Sequence, residues 1–532
     1  MSIIISSQLE NNKDLTYDVC IIGTGLSGQI VASKIKNKKI IMIDSGKSEF
    51  SEEAQTLNNL EMNGINFREN DTIRVRQLGG SANLWANQLM YLEKHEIEER
   101  NWLGENLSWP ISYEELKKNY SETINDIFGK NLNNPYGEVN DKNFFSIIEN
   151  EFIKEKNISF KNSMWPNKVE KFNLNSKFTK KILNMKHIDF IENFTATEFM
   201  VNENTKNLKE VIFQSENKKI TIKANTFVLA CGAIENARIL LNNQTKYKIL
   251  DNNNVGKYFM DHINLDLGFL KIKKKLPLSI LLGMKFKNYD LRKYIKISED
   301  YQEEKGILSC HSYLDPAYDE GDKVLFDDFL KEIKKIIKFN GIPWLKLNKI
   351  NFKKTFEQLY FNIPPQLSNS LINSSLRSLL SRKNNYLSFN KLKIGFQGEQ
   401  LPNINSKIYL SQKKDKFNQK IAIIDWKLHK IDYDSQIEFI KILNKMFQSH
   451  NLFSFEENLY PKITDASHHS GTTRMSDSKL DGVVDKNCKF HNLNNLYICG
   501  SSVFKTIGSG NTGLSIMAIS NRLGNYLNTK LN

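Results

Sequence analysis

Short apolar runs alternate with glycine turns and helical segments near the start of the chain. Asp18 to Ile22 is a mostly apolar run rich in β-forming residues, the pattern of a strand buried on both faces. Gly23 to Gly28 follows as a turn, and Gln29 to Lys36 has the spacing of a packed helix. Lys39 to Ile43 is a second apolar strand, which ends at Asp44. The pattern predicts a strand–turn–helix–strand unit.

Two further transitions from strand to turn lie far along the chain. Thr226 to Ala230 leads into a glycine turn and a helical stretch from Ile234 to Leu241. Leu496 to Cys499 leads into Gly500, and a last helix is predicted from about Leu514 to Leu527. Because these strands come from widely separated parts of the sequence, we expect one nucleotide-binding domain built from several segments.

The middle of the chain has a different pattern of hydrophobic and polar residues. From about Leu265 to Lys462, alternating strand patterns such as Lys407 to Leu410 and Ile421 to Trp426 mix with amphipathic helical stretches such as Gln436 to Met446. This mixed pattern predicts a second domain inserted into the first.

Composition and charge change this picture little. Hydrophobic residues make up 40% of the 532 residues and charged residues 25%, which is typical of a globular protein. The net charge of +14 could attract nucleic acid or an anionic membrane, but the basic residues are spread along the chain and are interpreted as ordinary surface. We expect no nucleic-acid partner.

One basic segment, residues 331–354, is denser and carries aromatic residues among its lysines. It could contact an anionic membrane or a phosphate-bearing substrate. The favoured interpretation is a solvated helix face above ordinary core residues, so peripheral membrane contact is not favoured.

Cysteine usage and the N-terminus bear on location. The five cysteines show no CxxC pair for a metal cluster or a redox disulfide, so no metal site is expected. The first residues lack the basic region of a signal peptide, and no apolar run approaches the roughly 20 residues that span a bilayer. These observations predict a cytoplasmic, soluble protein.

The first glycine turn carries the clearest chemistry. Gly23, Gly25 and Gly28 form GxGxxG directly after a strand and before a helix. Gly23 permits a tight turn, Gly25 lets the backbone approach a pyrophosphate, and Gly28 lets helix and strand pack closely. Asp44 ends the next strand, where a carboxylate can accept hydrogen bonds from a ribose. The motif in this context predicts a dinucleotide-binding turn rather than a plain glycine turn, but it does not separate FAD from NAD.

Two other loops carry candidate polar groups. Gly79 and Gly80 would let a loop lie flat against a planar ligand, with Asn83 nearby, although a plain surface turn explains them equally well. Near the C-terminus, His468 and His469 precede a glycine, and a histidine can take a proton near neutral pH. A structural role for either histidine stays open on this pattern alone.

Taken in order, these blocks resemble the glucose–methanol–choline (GMC) family of flavin oxidoreductases. The resemblance runs from about residue 18 to 523, and its order matches the family. The blocks are the Gly23 turn, the Gly79-Gly80 loop, Trp109 to Tyr113, Cys231 to Arg238, Val255 to His262, Glu399 to Asn403 and the C-terminal block around His468.

The resemblance implies an α/β fold: a Rossmann-like FAD-binding domain with an inserted antiparallel-sheet (α+β) substrate domain. We expect residues 14–100, 195–263 and 463–532 to form the FAD-binding domain. Residues 101–194 are expected to form a connecting or lid region, and residues 264–462 to form the substrate domain.

The resemblance also implies a mechanism. His468 matches the family's catalytic histidine and would accept the hydroxyl proton, and Asn511 matches the partner position that binds the same oxygen. The carbon-bound hydrogen would pass as hydride to the flavin N5. The expected cofactor-binding residues are Gly23, Gly25, Leu26, Ser27, Gly28, Asp44, Ser45, Gly79, Gly80, Asn83, Leu84, Cys231, Gly232, Gly500, Ser501, Gly510 and Thr512.

Three differences from the usual family sequence limit which family properties we expect of this chain. Leu84 stands where some members carry a histidine bonded to the flavin, so the expected FAD is non-covalent. Thr512 stands where a proline usually follows the catalytic asparagine. The segment after Gly232 lacks the usual Ser/Thr-Pro step and is closer to bacterial and pyranose-oxidase-like branches.

The expected activity is FAD-dependent oxidation of an alcohol or sugar hydroxyl to a carbonyl, with oxygen, a quinone or a redox protein as electron acceptor. Two alternatives remain at this point: a non-redox flavoprotein lyase of the same fold, and a binding protein that has kept the fold without turnover. The pair His468 and Asn511 favours the enzyme.

Overall fold

A computed structural model of the protein describes residues 3–4, 10–11, 13–65, 73–104, 107–129, 156–166, 170–216, 218–273, 284–285, 289–317, 391–449 and 452–532. The strands are β1 (Ile3–Ile4), β2 (Lys13–Ile22), β3 (Ile40–Ile43), β4 (Leu60–Gly64), β5 (Ile158–Pro166), β6 (Ile188–Ile191), β7 (Thr195–Asn202), β8 (Asn207–Ser215), β9 (Lys218–Leu229), β10 (Ile263–Ile272), β11 (Met284–Lys285), β12 (Tyr289–Ile297), β13 (Cys310–Ala317), β14 (Lys391–Gly398), β15 (Lys407–Lys414), β16 (Lys420–Trp426), β17 (Phe453–Glu457), β18 (Thr464–Asp465) and β19 (Leu496–Ile498).

The α-helices are α1 (Leu26–Lys34), α2 (Glu52–Gln55), α3 (Lys94–Ile97), α4 (Tyr113–Phe128), α5 (Lys177–Leu183), α6 (Gly232–Gln244), α7 (Glu299–Lys305), α8 (Lys430–Gln448) and α9 (Gly513–Leu531). Short 3-10 turns at Thr56–Asn58, Gly80–Asn83, Asn101–Leu103, Lys248–Leu250 and Ser501–Val503 join them.

The first sheet, called here the parallel sheet, has the order β1-β6-β3-β2-β9-β8-β7, and β19 extends it beside β9. Strands β1, β6, β3, β2, β9 and β19 run parallel, whereas β8 and β7 form an antiparallel extension. All four residues of β3 are buried, as its continuous apolar sequence predicts. Helix α1 packs on α9, so the first and last helices of the chain cover the same part of the sheet.

The turn between β2 and α1 has the conformation that its glycines predict. Gly23 has a φ of 100°, and its amide donates to the carbonyl of Ile43 at 2.8 Å. A Cβ on Gly28 would lie 2.1 Å from the carbonyl oxygen of Gly23. Only glycines therefore let helix and strand meet here, and the predicted Rossmann-like unit is confirmed.

The second sheet, called here the antiparallel sheet, has the order β11-β12-β13-β14-β10-β17, with β5 beside β12 and β18 beside β10. One face is apolar and packs on α8, where the rings of Phe396 and Phe439 lie 5.7 Å apart. The other face, called here the polar face, turns toward the parallel sheet. Its residues are assigned by strand register and alternation: Lys161, Ser163, Trp165, Arg292, Tyr294, Lys296, His311, Tyr313 and Gln397.

Strand membership crosses the expected domain boundaries in two places. Within residues 101–194, β5 belongs to the antiparallel sheet and β6 to the parallel sheet. A small third sheet, β15-β16-β4, pairs a strand from the first 100 residues with two strands from the middle of the chain. The exact domain boundaries stay a prediction.

Among the described helices, none has the length and apolar character needed to cross a bilayer. The five cysteines are free thiols, and all but Cys231 are buried. The basic segment 331–354 lies outside the described residues.

Candidate active site

A cavity of about 480 Å³ opens at the carboxyl ends of the parallel strands. The segments that line it include residues 22–27 after β2, 43–45 after β3, 73–88, 230–239 after β9, and the C-terminal loops around His468, Gly500 and Asn511. Its size is within the range of small-molecule and cofactor sites. The position at the strand ends is where open α/β sheets bind ligands.

Backbone from two loops forms the narrow part of the cavity. Gly25 lies at the N-terminus of α1 and forms a β-bridge with Gly79, whose φ is 93°. A Cβ on Gly25 would meet no protein atom closer than 3.8 Å, because it would point into the cavity instead. The first amides of α1 are directed toward this space, so it suits an anionic group such as a pyrophosphate.

Asp44 lines the same part of the cavity, but the protein already engages its carboxylate. The amide and hydroxyl of Thr24 donate to Oδ2 at 2.9 and 2.5 Å, and the Gly46 amide donates to Oδ1 at 2.8 Å. Burial raises the pKa of Asp44, while these hydrogen bonds oppose that shift. Beside it, Arg76 donates to the Ser45 hydroxyl at 2.7 Å.

A buried charge cluster that the sequence analysis missed completes this end of the cavity. Glu235 accepts ion pairs from Arg74, Arg76 and Arg238 at 3.1, 2.8 and 2.9 Å. Burial raises the pKa of Glu235, but the three guanidinium groups together hold it well below its usual range. The only sequence signal was the spacing of Glu235 and Arg238 on one helix; Arg74 and Arg76 come from a distant loop.

A histidine pair organises the side of the cavity that contains His468. His262 Nδ1 lies 2.7 Å from His468 Nδ1, and His262 Nε2 lies 2.9 Å from the carbonyl oxygen of Gly508. A carbonyl only accepts, so His262 carries its proton on Nε2. Burial, with His468 and His311 as further causes, lowers the pKa of His262 well below its ordinary value. His262 is therefore neutral, and its Nδ1 accepts.

The state of His262 fixes the state of His468. Because His262 Nδ1 accepts, His468 Nδ1 must donate, and in the neutral ring the proton then sits on Nδ1. His468 Nε2 is left as the unprotonated nitrogen, the state that a general base requires.

Asp261, the residue before His262, holds the backbone that carries His468. Its carboxylate accepts from the amides of Ala466 and His468 at 3.1 and 3.0 Å. The neighbouring His469 instead stacks on Phe259, with ring centroids 5.8 Å apart and planes tilted by 32°. Two consecutive residues thus position both the main chain and the ring of His468.

The side chain of Asn511 is held from two sides. Its Nδ2 donates to Gln88 Oε1 at 2.7 Å, and its Oδ1 accepts from Gln397 Nε2 at 3.0 Å. Gln397 Nε2 also donates to the carbonyl of Ser509 at 2.8 Å. With its carbonyl engaged, Asn511 can offer the second hydrogen of Nδ2 to a ligand.

The structure brings most of the predicted site residues to one cavity. Both predicted catalytic residues line it, with these predicted cofactor residues: Gly23, Gly25, Leu26, Ser27, Asp44, Ser45, Gly80, Leu84, Cys231, Gly232, Gly500, Ser501 and Thr512.

Four predicted residues are not among the lining residues: Gly28, Gly79, Asn83 and Gly510. Gly28 and Gly79 allow close backbone packing, and the Asn83 amide donates to the carbonyls of Leu78 and Gly80. A Cβ on Gly510 would lie 3.0 Å from the carbonyl of Tyr91. These residues shape the loops that line the cavity.

Comparison with known proteins finds a family likeness in the C-terminal part. The sequence model described as GMC oxidoreductase matches residues 402–520, the part that contains His468 and Asn511. This match supports an FAD-dependent oxidoreductase of the kind that acts on CH–OH groups, as the resemblance predicted. No curated protein sequence matches the chain.

Solved structures show a likeness over the whole fold. Pyridoxine 4-oxidase from Mesorbium loti has a TM-score of 0.58 and 13% identity, covering 96% of this chain and 98% of its own. A variant of Aspergillus oryzae RIB40 formate oxidase has a TM-score of 0.57 and 15% identity, covering 98% and 99%. At these identities the likeness establishes the fold, and it confirms the predicted class.

The cavity fits FAD by its own geometry. The open space in front of Gly25, at the N-terminus of α1, suits the pyrophosphate. Leu84 lines the cavity and has no nucleophilic atom for a covalent bond to the flavin.

Proposed function

We propose that this protein is a GMC oxidoreductase that oxidises an alcohol or sugar hydroxyl to a carbonyl, with His468 as the base. The tautomer of His468 carries this proposal: the Nδ1 contact to His262 at 2.7 Å leaves Nε2 able to accept the hydroxyl proton. Bound FAD supplies the acceptor for the hydride that leaves the carbon. The Gly25 turn, the loop at Gly80 and the Gly500 turn would hold that FAD without a covalent bond.

Asn511 and His468 act on the same substrate oxygen in this proposal. The Asn511 amide would donate one hydrogen bond to it while His468 Nε2 takes its proton. The proton stays on His468, whose Nδ1–H keeps its hydrogen bond to neutral His262, so the imidazolium that forms is held in place. Gln88 and Gln397 keep the Asn511 amide from rotating away.

The direct test is reduction of the bound flavin under anaerobic conditions. Mixing the holoenzyme with a panel of alcohols and sugars should bleach the flavin absorbance for at least one class of compound. His468→Ala should keep its FAD and slow this reduction by about 10²-fold or more, the usual scale for loss of a general base. His187→Gln is the matched control, because His187 is not among the residues that line the cavity and its Nε2 lies 3.2 Å from the carbonyl oxygen of Ile35.

Two outcomes would contradict the proposal. Reduction of the flavin at wild-type speed in His468→Ala would remove His468 as the base. A bound flavin that no compound reduces, in a protein that still converts or binds ligands, would favour the lyase or binding-protein alternatives.

The electron acceptor is part of the same proposal. An oxidase returns the electrons to oxygen, whereas a dehydrogenase passes them to a quinone or a redox protein. Reoxidation of the reduced flavin should be timed with dissolved oxygen and with a soluble quinone in parallel, and the faster of the two defines the class of acceptor.

A further inference from the structure

His311 is a buried histidine on the polar face that the proposed chemistry does not use. It is 2% exposed, and its Nδ1 has no hydrogen-bond partner among the described residues. A buried polar atom without a partner costs free energy unless a ligand or an ordered water satisfies it.

The register of the antiparallel sheet places His311 beside the catalytic residues. It pairs with Gln397 across β13 and β14, so both side chains point to the same side. Gln397 contacts Asn511 directly at 3.0 Å. His311 is thus one strand spacing, about 5 Å, from a residue that touches Asn511.

A second path leads from His311 to Asn511. Its ring lies edge-on to Tyr294, with centroids 5.4 Å apart and planes at 71°. The Tyr294 hydroxyl accepts from Gln88 Nε2 at 3.0 Å, and Gln88 Oε1 accepts from Asn511 at 2.7 Å. Tyr294 and Gln397 therefore flank His311 and both connect to Asn511.

His311 offers a neutral ring rather than a charge. Burial lowers its pKa to about 3, with the nearby ammonium group of Lys161 as the next cause, and Glu96 opposes the shift. The ammonium of Lys161 is itself engaged by Glu96 at 3.2 Å. A neutral imidazole recognises a ligand by a hydrogen bond.

We propose that His311 binds a second hydrogen-bonding group of the substrate, within a few bonds of the carbon that is oxidised. The inference rests on the proposed function, and it narrows the substrate class to alcohols with an additional hydroxyl or carbonyl group. Simple monofunctional alcohols leave His311 unsatisfied. A site built around a polar group rejects an analogue that lacks that group.

Matched pairs of alcohols test this inference. The probes are propane-1,3-diol against propan-1-ol, and 3-hydroxybenzyl alcohol against benzyl alcohol. In the wild type, the second hydroxyl should raise kcat/KM for flavin reduction by about tenfold or more in at least one pair. His311→Phe should bring that ratio to about one while changing the rate with the monofunctional alcohol by less than about threefold.

Two further variants separate recognition from packing. His311→Gln keeps a hydrogen-bonding group and should retain part of the preference. Ser312→Ala is the matched control: Ser312 is the next residue, lies on the opposite face, is 1% exposed, and its hydroxyl has no partner among the described residues. It should leave both the ratio and the rate unchanged.

The inference is overturned if the wild-type ratio is about one in both pairs, or if His311→Phe leaves a high ratio intact. The dissociation constants of the same probes can be measured by titrating the flavin absorbance of His468→Ala. Their ratio within each pair reports the preference for the second hydroxyl without turnover. If no alcohol reduces the wild-type flavin while those constants still show the preference, the proposed oxidation fails and the second-group site stands.

Discussion

The parallel sheet and the antiparallel sheet support the site in different ways: the first ends at the cavity, and the second contacts Asn511 through Gln397. In the parallel sheet, β3 is buried on both faces, and the loops at the strand ends present backbone to the ligand. In the antiparallel sheet, one face packs on α8 and the other presents side chains such as Gln397, which contacts Asn511. In the proposed function, glycine-rich main chain would therefore approach the cofactor closely, whereas side chains would position the catalytic groups.

This difference predicts how substitutions in each part change cofactor binding and the reaction rate. Main-chain contacts depend on glycines that leave room, so adding a single carbon should remove the cofactor. Side-chain contacts depend on tautomers and amide orientation, so a change there should spare the cofactor and slow the chemistry. Five predictions test this division, starting with the largest effect.

Gly28→Ala should abolish flavin binding, because its Cβ would lie 2.1 Å from the carbonyl oxygen of Gly23. The turn between β2 and α1 must then shift, and the protein should purify without FAD or fail to fold. The measurement is the ratio of flavin to protein absorbance after purification.

Gly25→Ala is the matched partner of that variant. Its Cβ meets no protein atom closer than 3.8 Å, so the protein without FAD should keep its unfolding temperature while FAD affinity falls by at least about tenfold. An unchanged affinity would show that the cofactor does not approach Gly25.

His262→Phe should keep the flavin and slow its reduction by about 10²-fold, because His468 Nδ1 loses the acceptor that fixes its tautomer. His262→Gln offers an amide oxygen in its place and should recover part of the rate. Equal losses in both variants, with an unchanged pH profile, would show that His262 acts only through packing.

Stability at low pH should reveal the buried histidine of the polar face. The pKa of His311 in the folded protein is about 3, below the usual 6.5, so below pH 6.5 the unfolded chain binds a proton that the folded chain does not. This destabilisation is absent above pH 6.5 and grows as the pH falls toward 3.

His311→Phe removes that penalty. We compare the unfolding free energy of the variant minus that of the wild type at two pH values. This difference should be about 2 kcal/mol larger, in favour of the variant, at pH 5 than at pH 7.5. Urea unfolding at the two pH values measures this. The groups facing His311 are Lys161, Glu96, Lys296 and His468, and they are unchanged in the comparison.

Gln397→Leu should have the smallest effect, a reduction rate about five- to tenfold lower, because Asn511 loses one of its two amide contacts. Flavin content should not change. Gln397→Glu supplies an acceptor where Asn511 Oδ1 needs a donor, so it should be slower than Gln397→Leu. The reverse order would mean that the orientation of Asn511 is set elsewhere.

The contrast between the main-chain part and the side-chain part of the site also explains which residues could be predicted from the sequence. Gly23, Gly25, Gly28 and Asp44 fall within one strand–turn–helix–strand unit, so their spacing specifies their geometry and they were recognised directly. The roles of His468 and Asn511 came from the family resemblance, and the structure places both at the cavity.

The supporting residues could not be predicted, since they meet across large separations. His262 and His468 are 206 positions apart, and Gln88 and Asn511 are 423 apart. Arg74 reaches Glu235 over 161 positions. Contacts of this kind depend on strand order and register, which no local pattern encodes. His311 looks like an ordinary strand residue until the register of β13 shows which way it points.

The order of the parallel strands also limits when the protein can take up its cofactor. Strand β9 pairs with β19, residues Leu496–Ile498, which is synthesised long after it, and Gly500, Asn511 and Thr512 then complete the cavity. A nascent chain that ends before these residues carries the Gly23 turn without its opposite wall. The complete cavity is therefore available to a cofactor only once these C-terminal loops have been synthesised.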